Sequence, residues 1–265
     1  MLTNRIENRF EELKTKNEKA FITYITAGLP DMDRTKEIIK AQNGVTDVIE
    51  LGIPFSDPIA DGPVIQQASY EAILNGASLK KTFALMKEIR SEGVEVPIVF
   101  MMYYNTIVNM GIKAFVEECH NSGVDGLIVP DLPLEEQEDL RNALSGDDRT
   151  ILIELVSPVS KDRIPEILKD ARGFVYCVSA MGVTGQDATF HKEVINYLSF
   201  VKEQSKIPVM MGFGIRTAAD VKPMADIIDG AIVGSHFINL MRENDFNPAA
   251  ATEYAKTFKD EINKL

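Results

Sequence analysis

Glu50, Asp57 and Asp61 stand within one short stretch, Val48–Val64, that reads VIELGIPFSDPIADGPV. A strand-like run carries Glu50, and a loop punctuated by Gly and Pro follows at once with Ser56 and both aspartates. A carboxylate fixed near a strand end and a second on the adjoining loop can frame one small cavity. Such pairs perform general acid–base chemistry when their surroundings push their pKa values apart. The blander alternative makes Glu50 a barrel ion pair, with Asp57 and Asp61 as turn-formers beside Pro58 and Gly62.

Acid–base work needs a rigid scaffold, and the rest of the chain has a regular pattern. Short apolar runs alternate with amphipathic helical periods from end to end. Strands are expected at Phe21–Thr26, Asp47–Leu51, Pro97–Tyr103, Gly126–Val129, Ile151–Leu155, Phe174–Ser179, Pro208–Gly212 and Ala231–Gly234. Between them lie helix-length segments such as Met32–Asn43, Leu79–Ser91, Ile112–Asn121, Leu134–Leu144 and Phe190–Glu203. Several strands are continuously hydrophobic, which suits a parallel sheet covered by helices. Eight β-then-α units predict an α/β protein with a closed (β/α)8 TIM barrel. The 265 residues, 45% of them hydrophobic, fit one such domain of about 250 residues over 1–265. An open doubly wound sheet is the rival, but the first strand runs into AGLPD rather than G-x-G-x-x-G. Leu2–Lys16 repeats apolar residues at Ile6, Phe10 and Leu13, which predicts an extra N-terminal helix against one end of the barrel.

In such a barrel the site forms at the C-terminal strand ends. Those ends offer Tyr24 and the turn Gly28-Leu29-Pro30, then Glu50 and Asp61, then Met101, Tyr103 and Asn105, then Asp131. The last three ends, YCVSAMGVTG, GFGIR and AIVGS, each carry Gly, with Thr184 or Ser235 beside it in two of them. Glycine permits close backbone approach, and a helix starting at Ser235 points free N–H groups outward, as a phosphate site requires. Tight turns alone are the simpler reading of any single Gly-rich loop.

Composition narrows the chemistry. A net charge of −12 makes nucleic acid and anionic membranes poor partners. None of the strand runs contains Lys or His, so neither a Schiff base nor a His-based metal site has a framework, and no cofactor or metal is expected. His120 and His191 read as solvated surface residues, and His236 stands where it can line the phosphate end. Cys119 and Cys177 read as structural thiols in a reduced compartment. The N-terminus lacks an apolar signal core, and no apolar run reaches the roughly 20 residues of a membrane helix. The expected protein is soluble and cytoplasmic.

Over nearly its whole length the chain resembles the tryptophan synthase alpha-chain family. ELGIPFSDPIADGP matches the family's signature without a gap. FITYITAG, MMYYN, VPDLPLEE, GVTG, GFGI and AIVGS support it in family order. The resemblance implies cleavage of indole-3-glycerol phosphate to indole and glyceraldehyde 3-phosphate without a cofactor. It implies that Glu50 and Asp61 are the catalytic carboxylates and that Gly185, Gly214, Gly234 and Ser235 hold the phosphate. Thr184 falls in the family's mobile loop, here about residues 180–194. Tyr24, Met101, Tyr103, Tyr176 and Phe213 fall where the family lines its indole and glycerol pocket. The implied partner is the beta chain, a pyridoxal-phosphate enzyme, in an alpha2beta2 complex, with Asp57 and Pro58 at the contact. Leu29, Thr106, Gln186-Asp187 and His236 depart from the family's common pattern and bear on loop closure and partner activation. Another phosphosugar barrel, or a non-catalytic barrel kept to activate a partner, are the rival functions.

Overall fold

The structure, a computed structural model, describes residues 4–178, 188–212 and 214–265, with 188–191 by backbone only. Among the described residues the strands are β1 (Ala20–Thr26), β2 (Val48–Gly52), β3 (Ile98–Met101), β4 (Gly126–Ile128), β5 (Ile151–Leu152), β6 (Glu154–Val156), β7 (Val175–Cys177), β8 (Val209–Met211) and β9 (Gly230–Val233). All pairings are parallel, in the order β5-β4-β3-β2-β1-β9-β8-β7-β6.

The fifth expected strand, Ile151–Leu155, is thus two pieces either side of Ile153. β5 pairs with β4, whereas β6 pairs with β7. One stretch of chain changes partner midway, which closes eight strand positions into the barrel. The third strand is shorter than expected, because Tyr104–Met110 turns into a helix directly after Tyr103. The segment Leu134–Leu144 is a 3-10 turn over Leu134–Glu136 and then a helix over Glu138–Leu144, rather than one helix.

Alternation along each strand builds two apolar layers. Ile49 and Leu51 face outward to the helices with Phe100 and Leu127, while Val48 faces the barrel interior with Ile22, Val99 and Ile232. Glu50 shares the parity of Val48 and so points inward. It sits in register with Tyr24 on β1 and Val99 on β3.

The N-terminal helix spans Arg5–Lys16 and is capped by Asn4, whose side chain accepts from the Ile6 and Glu7 N–H groups. Its Ile6, Phe10 and Leu13 are buried. A Cβ placed at Gly126 would lie 2.9 Å from Ile6, so that glycine makes room for the plug. Ion pairs from Arg5 to Asp125 (3.1 Å), Arg9 to Asp47 (2.7 Å) and Arg172 to Glu7 (2.8 Å) pin the helix across the barrel floor. The opposite end is left open. No helix among the described residues is long and apolar enough to cross a membrane.

Candidate active site

The open end holds a cavity of about 1660 Å3, lined by Tyr24, Glu50 and Asp61 together with Met101, Ile153 and Tyr176. Glu50 is 3% exposed, and its Oε2 has no hydrogen-bond partner among the described residues. No cation pairs with it there, so the ion-pair reading of Glu50 fails. Burial, and secondarily the charge of Asp61, push its carboxyl up to about 8.

Asp61 is placed by the loop that follows β2. Asp61 N–H donates to the Pro58 carbonyl (3.1 Å), and the Gln66 side chain donates to the Asp61 carbonyl (2.8 Å). Ser69 bridges the Phe55 N–H and carbonyl, tying the loop to the helix Pro63–Leu74. The Asp61 carboxylate is not spent on a turn: Tyr103 Oη donates to its Oδ2 at 2.8 Å. Burial raises Asp61 to about 6, with the Tyr103 hydrogen bond pulling the other way. The two carboxyls therefore straddle neutrality, Glu50 protonated and Asp61 ionised.

Tyr103 reaches Asp61 and does not itself line the described cavity. Its oxygen also accepts from the Ala60 N–H (3.0 Å), and its ring stacks on Phe55 at 5.1 Å. Tyr24 and Tyr176 face the carboxyls, and burial together with those negative charges holds both phenols well above their ordinary range. They remain hydrogen-bond donors. Two glycines that the sequence reading passed over make this possible. A Cβ at Gly52 would lie 2.0 Å from the Tyr24 oxygen, and one at Gly212 would lie 2.6 Å from that of Tyr176. Each follows a strand's last large apolar residue, which is the only trace it leaves in the sequence.

At the far side Gly214, Gly234 and Ser235 line the same cavity. Gly214 has φ +68°, a conformation that favours glycine. The helix Ser235–Glu243 starts after Gly234 with no side-chain cap, so its first N–H groups are free to meet an anion. Thr184, Gly185, Gln186 and Phe213 lie outside the described residues.

Other expected positions fall elsewhere. Asn105 is exposed on the helix after β3. Asp131 accepts from the Tyr104 N–H (2.9 Å) and ties two loops together instead of entering the cavity. Asp57 and Pro58 sit on the outer loop, where Ser56 donates to Asp57 at 2.5 Å and Ile59 is 83% exposed. Leu29 is buried in the barrel's inner apolar layer, and Thr106 closes the first turn of a helix through an N–H bond to the Tyr103 carbonyl. His120 is not a solvated surface residue. Its side chain is 10% exposed, 3.4 Å from Asp147, and burial lowers its pKa. The His191 side chain lies outside the described residues. Cys119 and Cys177 are buried and unpaired.

A family model described as "Tryptophan synthase alpha chain" matches residues 10–265. The tryptophan synthase alpha chain of Lachnospira eligens is 60% identical over 262 residues, covering 98% of this chain and 99% of its own length. That of Alkaliphilus metalliredigens is 42% identical over 238 residues, 89% of each. Among solved structures, tryptophan synthase subunit alpha from Legionella pneumophila superposes with a TM-score of 0.89 at 32% identity, covering 99% of both chains.

Proposed function

The chain belongs to the tryptophan synthase alpha-chain family, and from that premise we propose which of its residues carry the family's reaction. It is a carbon–carbon lyase of tryptophan biosynthesis, cleaving indole-3-glycerol phosphate to indole and glyceraldehyde 3-phosphate. The observation that carries the assignment is that two carboxyls share one cavity in unlike surroundings, Glu50 buried with an unpartnered Oε2 and Asp61 bonded by Tyr103.

Indole leaves only when its C3 carries a proton. Glu50, neutral at pH 7, donates that proton, and positive charge develops on the ring nitrogen. Asp61, ionised, accepts the ring N–H and stabilises the charge in a cavity of low dielectric. The C3–glycerol bond then breaks, and its electron pair restores the aromatic ring. The ionised Glu50 removes the glycerol hydroxyl proton as the aldehyde forms, which returns the enzyme to its starting protonation. Tyr24, Met101 and Tyr176 surround the ring, and Tyr103 steadies Asp61. Gly214, Gly234 and Ser235 take the phosphate, with Gly185 and Thr184 completing the cradle and Phe213 the apolar pocket.

The family works with a beta subunit. Asp57 and Pro58, on the outside of the loop that carries Asp61, are the contact in this reading, within an alpha2beta2 complex of the cytoplasm. General acid–base steps contribute about 10²–10⁴-fold. Glu50→Gln is therefore expected to lower indole release by at least about 100-fold while leaving phosphate affinity nearly intact. Near-normal turnover in that variant contradicts the assignment.

A further inference from the structure

We propose that Arg216 supplies the side-chain cation that holds the substrate's phosphate, beside the backbone amides of the glycine loops. The inference rests on the phosphate end proposed above and adds what that end otherwise lacks. The cradle residues Gly214, Gly234 and Ser235 offer N–H groups and a hydroxyl, but no formal charge. The cavity wall also carries four carboxyls, those of Glu50, Asp61, Glu154 and Asp220, in a chain of net charge −12. A phosphate dianion entering it gains from a nearby cation.

The cavity wall narrows the choice. Among the described residues, its only Lys or Arg side chains are Arg163 and Arg216. Arg163 is already paired with Glu135. Arg216 has no acidic partner within ion-pair distance among the described residues, although its backbone is tightly held. Its N–H donates to Asp220 (2.9 Å), and its carbonyl accepts from Tyr254 Oη (2.6 Å). Asp220, the nearest carboxylate in the chain, also accepts from the Thr217 N–H (2.9 Å) and hydroxyl (3.2 Å) as a helix cap. A fixed backbone with an uncommitted guanidinium suits an anion that comes and goes.

His236, the first-turn residue after Ser235, lines the same wall and packs on Tyr254 with ring centroids 5.7 Å apart. Burial, and then the positive charge of Arg216, hold its imidazole below the ordinary range. Burial and Arg216 both disfavour a charged ring there, against the pull of Glu243 and Asp220, which leaves Arg216 as the cation of this end.

The test uses the full chain and three variants, Arg216→Gln, Arg216→Lys and Gly234→Ala. KM and kcat for indole-3-glycerol phosphate are measured alongside inhibition by inorganic phosphate and binding of indole alone. Arg216→Gln should raise KM and weaken phosphate inhibition about tenfold or more, with kcat changing less than KM and indole binding unchanged. Arg216→Lys should recover part of the loss, which a merely structural role does not predict. If Gly234→Ala weakens phosphate inhibition but Arg216→Gln does not, the phosphate end stands and the role of Arg216 is overturned. If neither variant alters it, the phosphate end itself is misplaced and the inference falls with it. Loss of indole binding in Arg216→Gln overturns the inference as well, because the residue would then support the pocket as a whole.

Discussion

At neutral pH Glu50 keeps its proton because no cation and no hydrogen-bond donor compensates its burial among the described residues. Asp61 loses its proton because it is half-buried and accepts from Tyr103. In the proposed mechanism the chemistry depends on a difference in surroundings between two like groups, and its pH dependence follows in sign. Below about 6 Asp61 gains a proton and can no longer take the indole N–H as an anion. Above about 8 Glu50 loses the proton it must donate. A plot of kcat/KM for indole release against pH should be bell-shaped, with limbs near these values that belong to the coupled pair. A profile flat across both limbs contradicts the assignment. From sequence, Glu50 and Asp61 were legible as a pair, but which of them is the acid was legible only as an expectation about desolvation. The proposal that Glu50 is the acid draws on its unpartnered Oε2 and on the Tyr103 contact to Asp61, both products of distant segments meeting.

The loop after β2 is held in place by the residues following β3. Tyr103 Oη donates to Asp61 and accepts from the Ala60 N–H, so one side chain fixes both a carboxylate and the backbone beside it. Tyr103→Phe removes a bond that lowers the Asp61 pKa. The acid limb of the rate profile is expected to move to higher pH, with a fall in kcat from the loosened loop. A limb that stays put or moves lower contradicts this role. Elements with a strong period were the most legible: the N-terminal helix and the strand carrying Glu50 both lie where the pattern places them. The split of residues 151–156 into β5 and β6 was not. ILIELV stays apolar across Ile153, whereas the break is a change of hydrogen-bonding partner from β4 to β7. Gly52 and Gly212 were missed for a similar reason. What demands them is a tyrosine ring from the neighbouring strand, not anything adjacent in the chain.

The molecule divides its two ends between stability and function. Ile6 and the ion pairs of the N-terminal helix seal the floor, and in the proposed function the mouth gathers the loops that react, bind and meet a partner. Ile59 is 83% exposed, and Val108 and Met110, on the helix that follows Tyr103, are 52% and 39% exposed. Ile59, next to Asp57 and Pro58 in the chain, is the kind of exposed apolar side chain that a protein partner can bury. Ile59→Asp is expected to weaken the stimulation of indole release by a beta chain, raising the partner concentration for half-maximal effect about tenfold or more. Turnover by the isolated chain should change less than about twofold. Stimulation identical to that of the unaltered chain contradicts this placement of the interface. At this scale the sequence already pointed to a barrel with an acidic surface, because repeated β-then-α units and charge need no tertiary detail to read.

The protonation state of Glu50 itself is the most direct test. An infrared titration of the carboxyl C=O band, taken as the difference between the unaltered chain and Glu50→Gln, reads it without turnover. The expected result is a protonated carboxyl at pH 7 that ionises with a midpoint near 8. A Glu50 already ionised at pH 7, titrating in the ordinary carboxylate range, contradicts the account.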